Sequence, residues 1–289
     1  MSESITTRFN RVVAMFTIQC MVGSNLAWAV PIVIDGNTRT VLNVNGNVTD
    51  ITTSTVKGSN AFNSFNQFNV NQNKTVNLHV PNSANNLVNL VHGAPSHING
   101  VLNSYKNGQI GGNVFFANPY GMVVGSQGVV NVGSLTAVTP THEYMNSFFL
   151  SPDNPSGAAT QQLLNGSAPI NPDGYITVQG QINAQTGIRM LAGTVSVAAT
   201  GQLVNTKSAA SSVPVLSDIV NTDGIESATQ IVEKNGEIYL FGAEDVQIAG
   251  EVKSEGSQGI AGGDITVKSA KDITIVENAL ISVKGNGAN

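Results

Sequence analysis

Two stretches 27 residues apart, GEIYLFGAEDVQI (residues 236–248) and GDITVKSAKDITI (residues 263–275), decide how this chain is built. At that offset Ile238 falls on Ile265, Leu240 on Val267, Ala243 on Ala270, Asp245 on Asp272, Val246 on Ile273 and Ile248 on Ile275. Within each copy apolar and polar residues alternate, which is the two-residue period of a strand with unlike surroundings on its two faces. Each copy reads as two short strands joined by a small turn. A strand–turn–strand unit repeated every few tens of residues predicts a solenoid in which each coil stacks on the last. Ile238, Leu240, Val246, Ile248, Ile265, Val267, Ile273 and Ile275 then line a narrow core, and like residues stack in ladders. A looser copy, GIRMLAGTVSVAATGQL, begins at Gly187. A β-sandwich would also alternate, but it need not repeat in sequence.

Composition agrees with an all-β chain. The 289 residues hold 30 Gly and 34 Asn, and long Asn/Gly/Ser/Thr stretches are broken by Val and Ile. Only 11% of residues are charged and the net charge is −5, which argues against nucleic acid as a partner. Past the N-terminus no apolar run is long enough for a spanning helix.

The N-terminus reads as a signal peptide over residues 1–29. Arg8 and Arg11 precede the mostly apolar VVAMFTIQCMV (residues 12–22), and Ala27 and Ala29 are the small residues of a cleavage site, with cut expected after Ala29. Cys20, the single cysteine, lies in that segment. The mature chain then has no disulfide, cysteine zinc site or thiol nucleophile. This suits a chain that must stay unfolded while it crosses an oxidising compartment.

From residue 30 the pattern is one of short strands. PIVIDGNTRTVLNVNGNVTDITT places Val41, Val44, and Val48 with Ile51 as apolar positions around Asn-Gly turns. In AFNSFNQFNV, residues Phe62, Phe65 and Phe68 are three apart. The interleaved Asn residues argue against a helix and for aromatics closing the end of a β structure. Residues 139–174 and 205–236 break the pattern and read as insertions outside the coils. Short helices are expected near Gln161–Leu164 and Val215–Val220.

The stretch GGNVFFANPYGMVVGSQGVVNVGSL (residues 111–135) folds back at Asn118-Pro119-Tyr120-Gly121, where Asn at the first and Pro at the second position signal a β-turn. Val114 and Phe116 before it fall on the same face as Met122 and Val124 after it. Read physically, it is a coil corner beside exposed strand edges that another chain could join.

ANPYGMVVGSQGVVNVGSL resembles the secretion domain of two-partner-secretion exoproteins, the filamentous haemagglutinin and large-adhesin family, whose Asn-Pro-Asn-Gly-Ile segment it matches at Asn118, Pro119 and Gly121. Tyr120 replaces the second Asn and Met122 the Ile. FNSFNQFNV resembles the family's Phe-rich element, and HINGVLNSYKNGQIGGNVFFANP its lead-in to the turn. The resemblance runs from about residue 30 to 140; the family's Asn-Pro-Asn-Leu element is not evident. It implies a right-handed parallel β-helix with extra capping strands at its N-terminus. It also implies a secretion module over residues 30–250, followed by a further coil over 251–289. The implied partner is an outer-membrane barrel transporter with periplasmic recognition domains. The implied location is the exterior or surface of a Gram-negative cell, reached through the periplasm. Phe62, Phe65, Phe68, Asn69 and Asn118–Gly121 are the candidate recognition or structural residues. Host or bacterial glycans or proteins are possible adhesion targets.

No residues mark chemistry. His79, His92, His97 and His142 are scattered, and His92 and His97 lack metal spacing. Gly-rich segments open no helix, so phosphate cradling has no support. No cofactor and no catalytic residue is expected. The alternatives are a secreted β-helix enzyme acting on polysaccharide, which would need clustered carboxylates and bases, and a carbohydrate-binding module, which would need exposed aromatics.

Overall fold

The computed structural model describes residues 31–207, 214–216, 231–233 and 236–286. The expected signal peptide, with Ala27, Ala29 and Cys20, lies outside them. From residue 48 onward the chain winds as a parallel β-helix whose three faces are each a parallel sheet. The first face runs from Val48–Thr53 through Thr75–His79, Val101–Lys106, Val129–Val138 and Gln181–Val197 to Gln202–Lys207, Glu251–Gln258 and Leu280–Asn286. The second begins with Asn60–Gln67, Asn86–Val91 and Asn113–Ala117. The third begins with Ser96–Ile98, Gly121–Val124 and Tyr175–Val178.

The 27-residue offset is the helical repeat itself. Ile238 pairs with Ile265, Leu240 with Val267, Val246 with Ile273 and Ile248 with Ile275. Alternate residues from all three faces fill one bore, where Val114, Phe116, Met122, Val124, Ile188, Leu240 and Ile248 are buried in a single cluster. One set of predicted core positions differs. Ile273 and Ile275 are 47% and 53% exposed, and Ile265 and Val267 are half-buried. They stand in register on buried partners, but among the described residues no coil covers their far side.

Asparagine stacks on the outside of the first face. Asn77 Nδ2 donates to Asp50, Asn103 to Asn77, Asn131 to Asn103 and Asn183 to Asn131, at 2.9–3.1 Å. The rungs are 27, 26, 28 and then 52 residues apart. The long last step is one coil plus the insertion that the sequence places at 139–174. Every amide points its N–H₂ toward the N-terminal end, so the ladder terminates on the Asp50 carboxylate. His79 Nε2 lies 2.7 Å from the same oxygen. These bonds, His79 first and Asn77 second, hold the Asp50 carboxyl below its ordinary range.

The insertion is more than a loop. Two helices, α1 (His142–Asn146) and α2 (Gly157–Asn165), and a small hairpin pack on the outer side of the second face. α2 is the helix expected near Gln161–Leu164. Thr141 and Ser156 cap the two N-termini, and Gly166 ends α2 in the left-handed conformation. Together they bury a second core: Tyr144, Met145, Phe148, Leu163 and Ile170 against Phe62, Val88, Leu90, Val138 and Phe241. The helix expected at Val215–Val220 is contradicted where it is described, because Pro214–Leu216 is a strand antiparallel to Ile231–Glu233. Residues 217–220 lie outside the described residues.

At the N-terminal end parallel stacking stops. Thr40–Asn45 closes the first face antiparallel to Val48–Thr53, and Val33–Ile34 and Val56–Lys57 close the second, antiparallel to Asn60–Gln67. Here the apolar positions divide between surface and core. Val41 and Val44 are 58% and 67% exposed, while Leu42 and Ile51 meet the core. The hairpin at Gly46, which has φ +60°, fixes the register so that Leu42 lies opposite Ile51.

Candidate functional site

Asn118 to Gly121 form a closed β-turn, with Gly121 N bonded to Asn118 O at 3.1 Å. The Asn118 side chain is buried and fully used. Its Oδ1 accepts from Tyr120 N at 3.0 Å, and its Nδ2 donates to Ala94 O at 2.9 Å and Ser96 Oγ at 3.0 Å. Asparagine is required because only an amide accepts from its own turn and donates to the preceding coil at once. Gly121 has φ +124°, and a Cβ there would lie 2.2 Å from Tyr175 O, so no other residue fits.

The chain carries a second such turn that the sequence reading missed. Asn171-Pro172-Asp173-Gly174 lies one coil further on. Gly174 N bonds to Asn171 O at 3.0 Å, and Asp173 N to Asn171 Oδ1 at 3.2 Å. Asn171 Nδ2 donates to Pro119 O at 2.8 Å, just as Asn118 reaches back to Ala94. The signal was legible as INPDGYITV against ANPYGMVV, but the insertion hid it by separating the copies. The Asn-Pro turn is therefore a stacked corner.

Two expectations about this segment are corrected. Neither strand flanking the turn has an exposed edge. Asn113–Ala117 lies between Asn86–Val91 and Val129–Val138, and Gly121–Val124 lies between Ser96–Ile98 and Tyr175–Val178. No chain can join them by strand addition. The Phe element does not present aromatics either, since Phe62, Phe65 and Phe68 are all fully buried. Residues three apart on a strand face opposite sides. Phe62 thus enters the second core, 6.2 Å from Phe148, while Phe65 faces the bore and stacks edge-on against Phe68 at 5.1 Å. Phe68 in turn meets Phe116 at 5.2 Å.

The structure does bring the two elements together, through that Phe68–Phe116 contact and through the corner at 94–97. Asn118 holds Ala94 and Ser96, while Asn69 Oδ1 accepts from His97 N at 2.9 Å. Of the eight named residues, Tyr120 alone is substantially exposed, at 38%. Its ring rests edge-on against His142 of α1 at 4.7 Å. His142 was not recognised from sequence as part of this site.

Ser64, His92 and Asp35 meet, as in a nucleophilic triad, but in the wrong arrangement. Ser64 Oγ is 2.5 Å from Asp35 Oδ2 and 3.2 Å from His92 Nε2, and Asp35 approaches the same nitrogen at 3.7 Å. In a working triad the acid supports the ring nitrogen remote from the serine. Ser64 is also fully buried. Burial lowers the pKa of His92, opposed by Asp35. The three groups clasp the N-terminal cap to the second face.

The model of the TPS secretion domain matches residues 31–287. The chain belongs to this family. Among solved structures, the HMW1 secretion domain from Haemophilus influenzae is similar at 18% identity, over 88% of this chain and 64% of that one, with a TM-score of 0.41. The filamentous hemagglutinin secretion domain is similar at 16% identity, over 89% of this chain and 99% of that one, with a TM-score of 0.38. No curated protein matches. This TPS domain thus spans less than two thirds of the HMW1 chain it matches. Its family is a secretion domain.

Proposed function

We propose that this TPS domain is the export signal of a haemagglutinin-like adhesin. A cognate outer-membrane transporter recognises it in the periplasm, and it nucleates the β-helix at the cell surface. The observation that carries this reading is the family match over 31–287. Burial of all three Phe side chains supports recognition before folding, because only an extended chain offers them to a partner. The stacked turns and the Asn ladder support growth from the N-terminal end, each coil supplying acceptors for the next. The product released outside the cell begins at Val30; N-terminal sequencing checks this, and an intact Met1 refutes export by a cleaved signal.

Two variants separate scaffold from recognition. Asn118→Ala removes three side-chain hydrogen bonds, one buried and two part-buried, and costs about 2–3 kcal/mol in a thermal melt. Secretion through the cognate transporter falls with it. Tyr120→Ala forfeits the ring contact to His142, about 1 kcal/mol. Secretion drops beyond that loss if the transporter reads the ring. Parental secretion of both variants excludes the turn from recognition.

A further inference from the structure

The open edge that the turn lacks is found at the N-terminal cap. Thr40–Asn45 pairs with Val48–Thr53 on one side, and no described strand pairs with it on the other. Ser54 N donates to Arg39 O, and bonding along an antiparallel pair alternates. Arg39, Val41, Asn43 and Asn45 therefore bond inward to the neighbouring strand. Thr40, Leu42 and Val44 turn their N–H and C=O groups to the open edge. The edge carries none of the usual guards against strand addition: TVLNVN has no charge and no proline, and its pairing shows no bulge.

We propose that two copies of the folded chain join through this edge, antiparallel, about a two-fold axis at Asn43. The register follows from the sequence. With Asn43 opposite Asn43 of the second copy, Leu42 lies opposite Val44 and Val44 opposite Leu42. These are the residues whose backbone groups face the edge, so each pair exchanges two hydrogen bonds. Their side chains share the face that looks toward the bore, and Val44, 67% exposed in one copy, gains an apolar neighbour. No like charges meet. The first face continues from one molecule into the other, and the two solenoids abut by their N-terminal ends. Ile34 and Val56, exposed on the strands that close the second face, stand at that same end.

The occupant is a second copy rather than the transporter. The edge exists only once the cap has folded, after the extended chain has passed the pore; the inference rests on the export reading for that point alone. Edge pairing of one short strand buries less than the roughly 1,000 Å² of a stable interface, so the dimer is reversible and gathers at high local concentration. The coil at the other end exposes Ile273, Ile275 and Val283 along an edge with parallel register, which suits another coil and not this two-fold pairing.

Cysteine cross-linking of purified chain tests the register, in a Cys20→Ser background that leaves no other thiol. Asn43 of the two copies faces itself in a non-hydrogen-bonded pair with Cα atoms about 4.5 Å apart, within disulfide reach. Asn45 lies roughly 14 Å from Asn45 of the second copy. Mild oxidation should cross-link Asn43→Cys and leave Asn45→Cys monomeric. Both positions are exposed, so neither change threatens folding. Cross-linking of both alike, or of neither, overturns the proposal. Val44→Lys sets two lysine side chains on strand positions roughly 8 Å apart and weakens dimerisation at least about tenfold in sedimentation. Unchanged sedimentation of that variant, or a parent that stays monomeric at every concentration, also overturns it. Either failure leaves the export reading standing, because secretion is scored separately.

Discussion

Ile248→Asp unfolds the domain under conditions that leave the parent intact, whereas Ile275→Asp does not. The two residues hold equivalent places in the repeat and pair directly with each other. Ile248 is fully buried in the bore, stacked on Val197 of the preceding coil. A carboxylate there has no partner and no water, at a cost of roughly 4 kcal/mol or more. Ile275 is half exposed, so the same change costs about 1 kcal/mol or less. Melting followed by circular dichroism separates them. If the two variants melt together, the assignment of inward and outward faces is wrong.

Phe62→Ala should loosen the insertion while leaving the solenoid wound. The Phe62 ring is fully buried, but on the outer side of the second face, against Phe148. Its loss leaves a cavity worth roughly 3–5 kcal/mol between the coils and residues 139–174. The bore, lined by Phe65, Phe68 and Phe116, keeps its packing. Limited proteolysis should therefore cut the Phe149–Pro155 hairpin early in the variant, with the coils still resistant. Phe68→Ala, in the bore, is the contrast: it should lower the melt of the whole domain without early cutting in the hairpin. Equal protection of the hairpin in Phe62→Ala and parent would show that Phe62 does not hold it.

The two aromatic positions differ for a reason that spacing alone does not reveal. Three residues along a strand reverse the face, and the sequence shows nothing of what covers the outer side. Val41 and Val44, apolar positions in the sequence, stand exposed on the end strand of the first face, beyond which no described strand pairs.

The sequence by itself determined the solenoid. Stacking like on like requires the same residue types at the same offset, so the 27-residue repeat, the Asn-rich strands and the turn at Asn118 were all legible one coil at a time. It also marked Asn118 to Gly121 as a corner and a break in the coils after Val138, although Asn171 to Gly174 of that break form a stacked corner and Asn205 to Lys207 belong to a coil strand. Only the tertiary structure decided which strand edges remain open, that the first insertion builds a second core, and that the Phe side chains are sealed within the folded domain. Each of these depends on what lies one coil away or across a sheet. Phe62 packs on Phe148 of the insertion, and a repeat that matches coil to coil carries no sign of what an insertion covers.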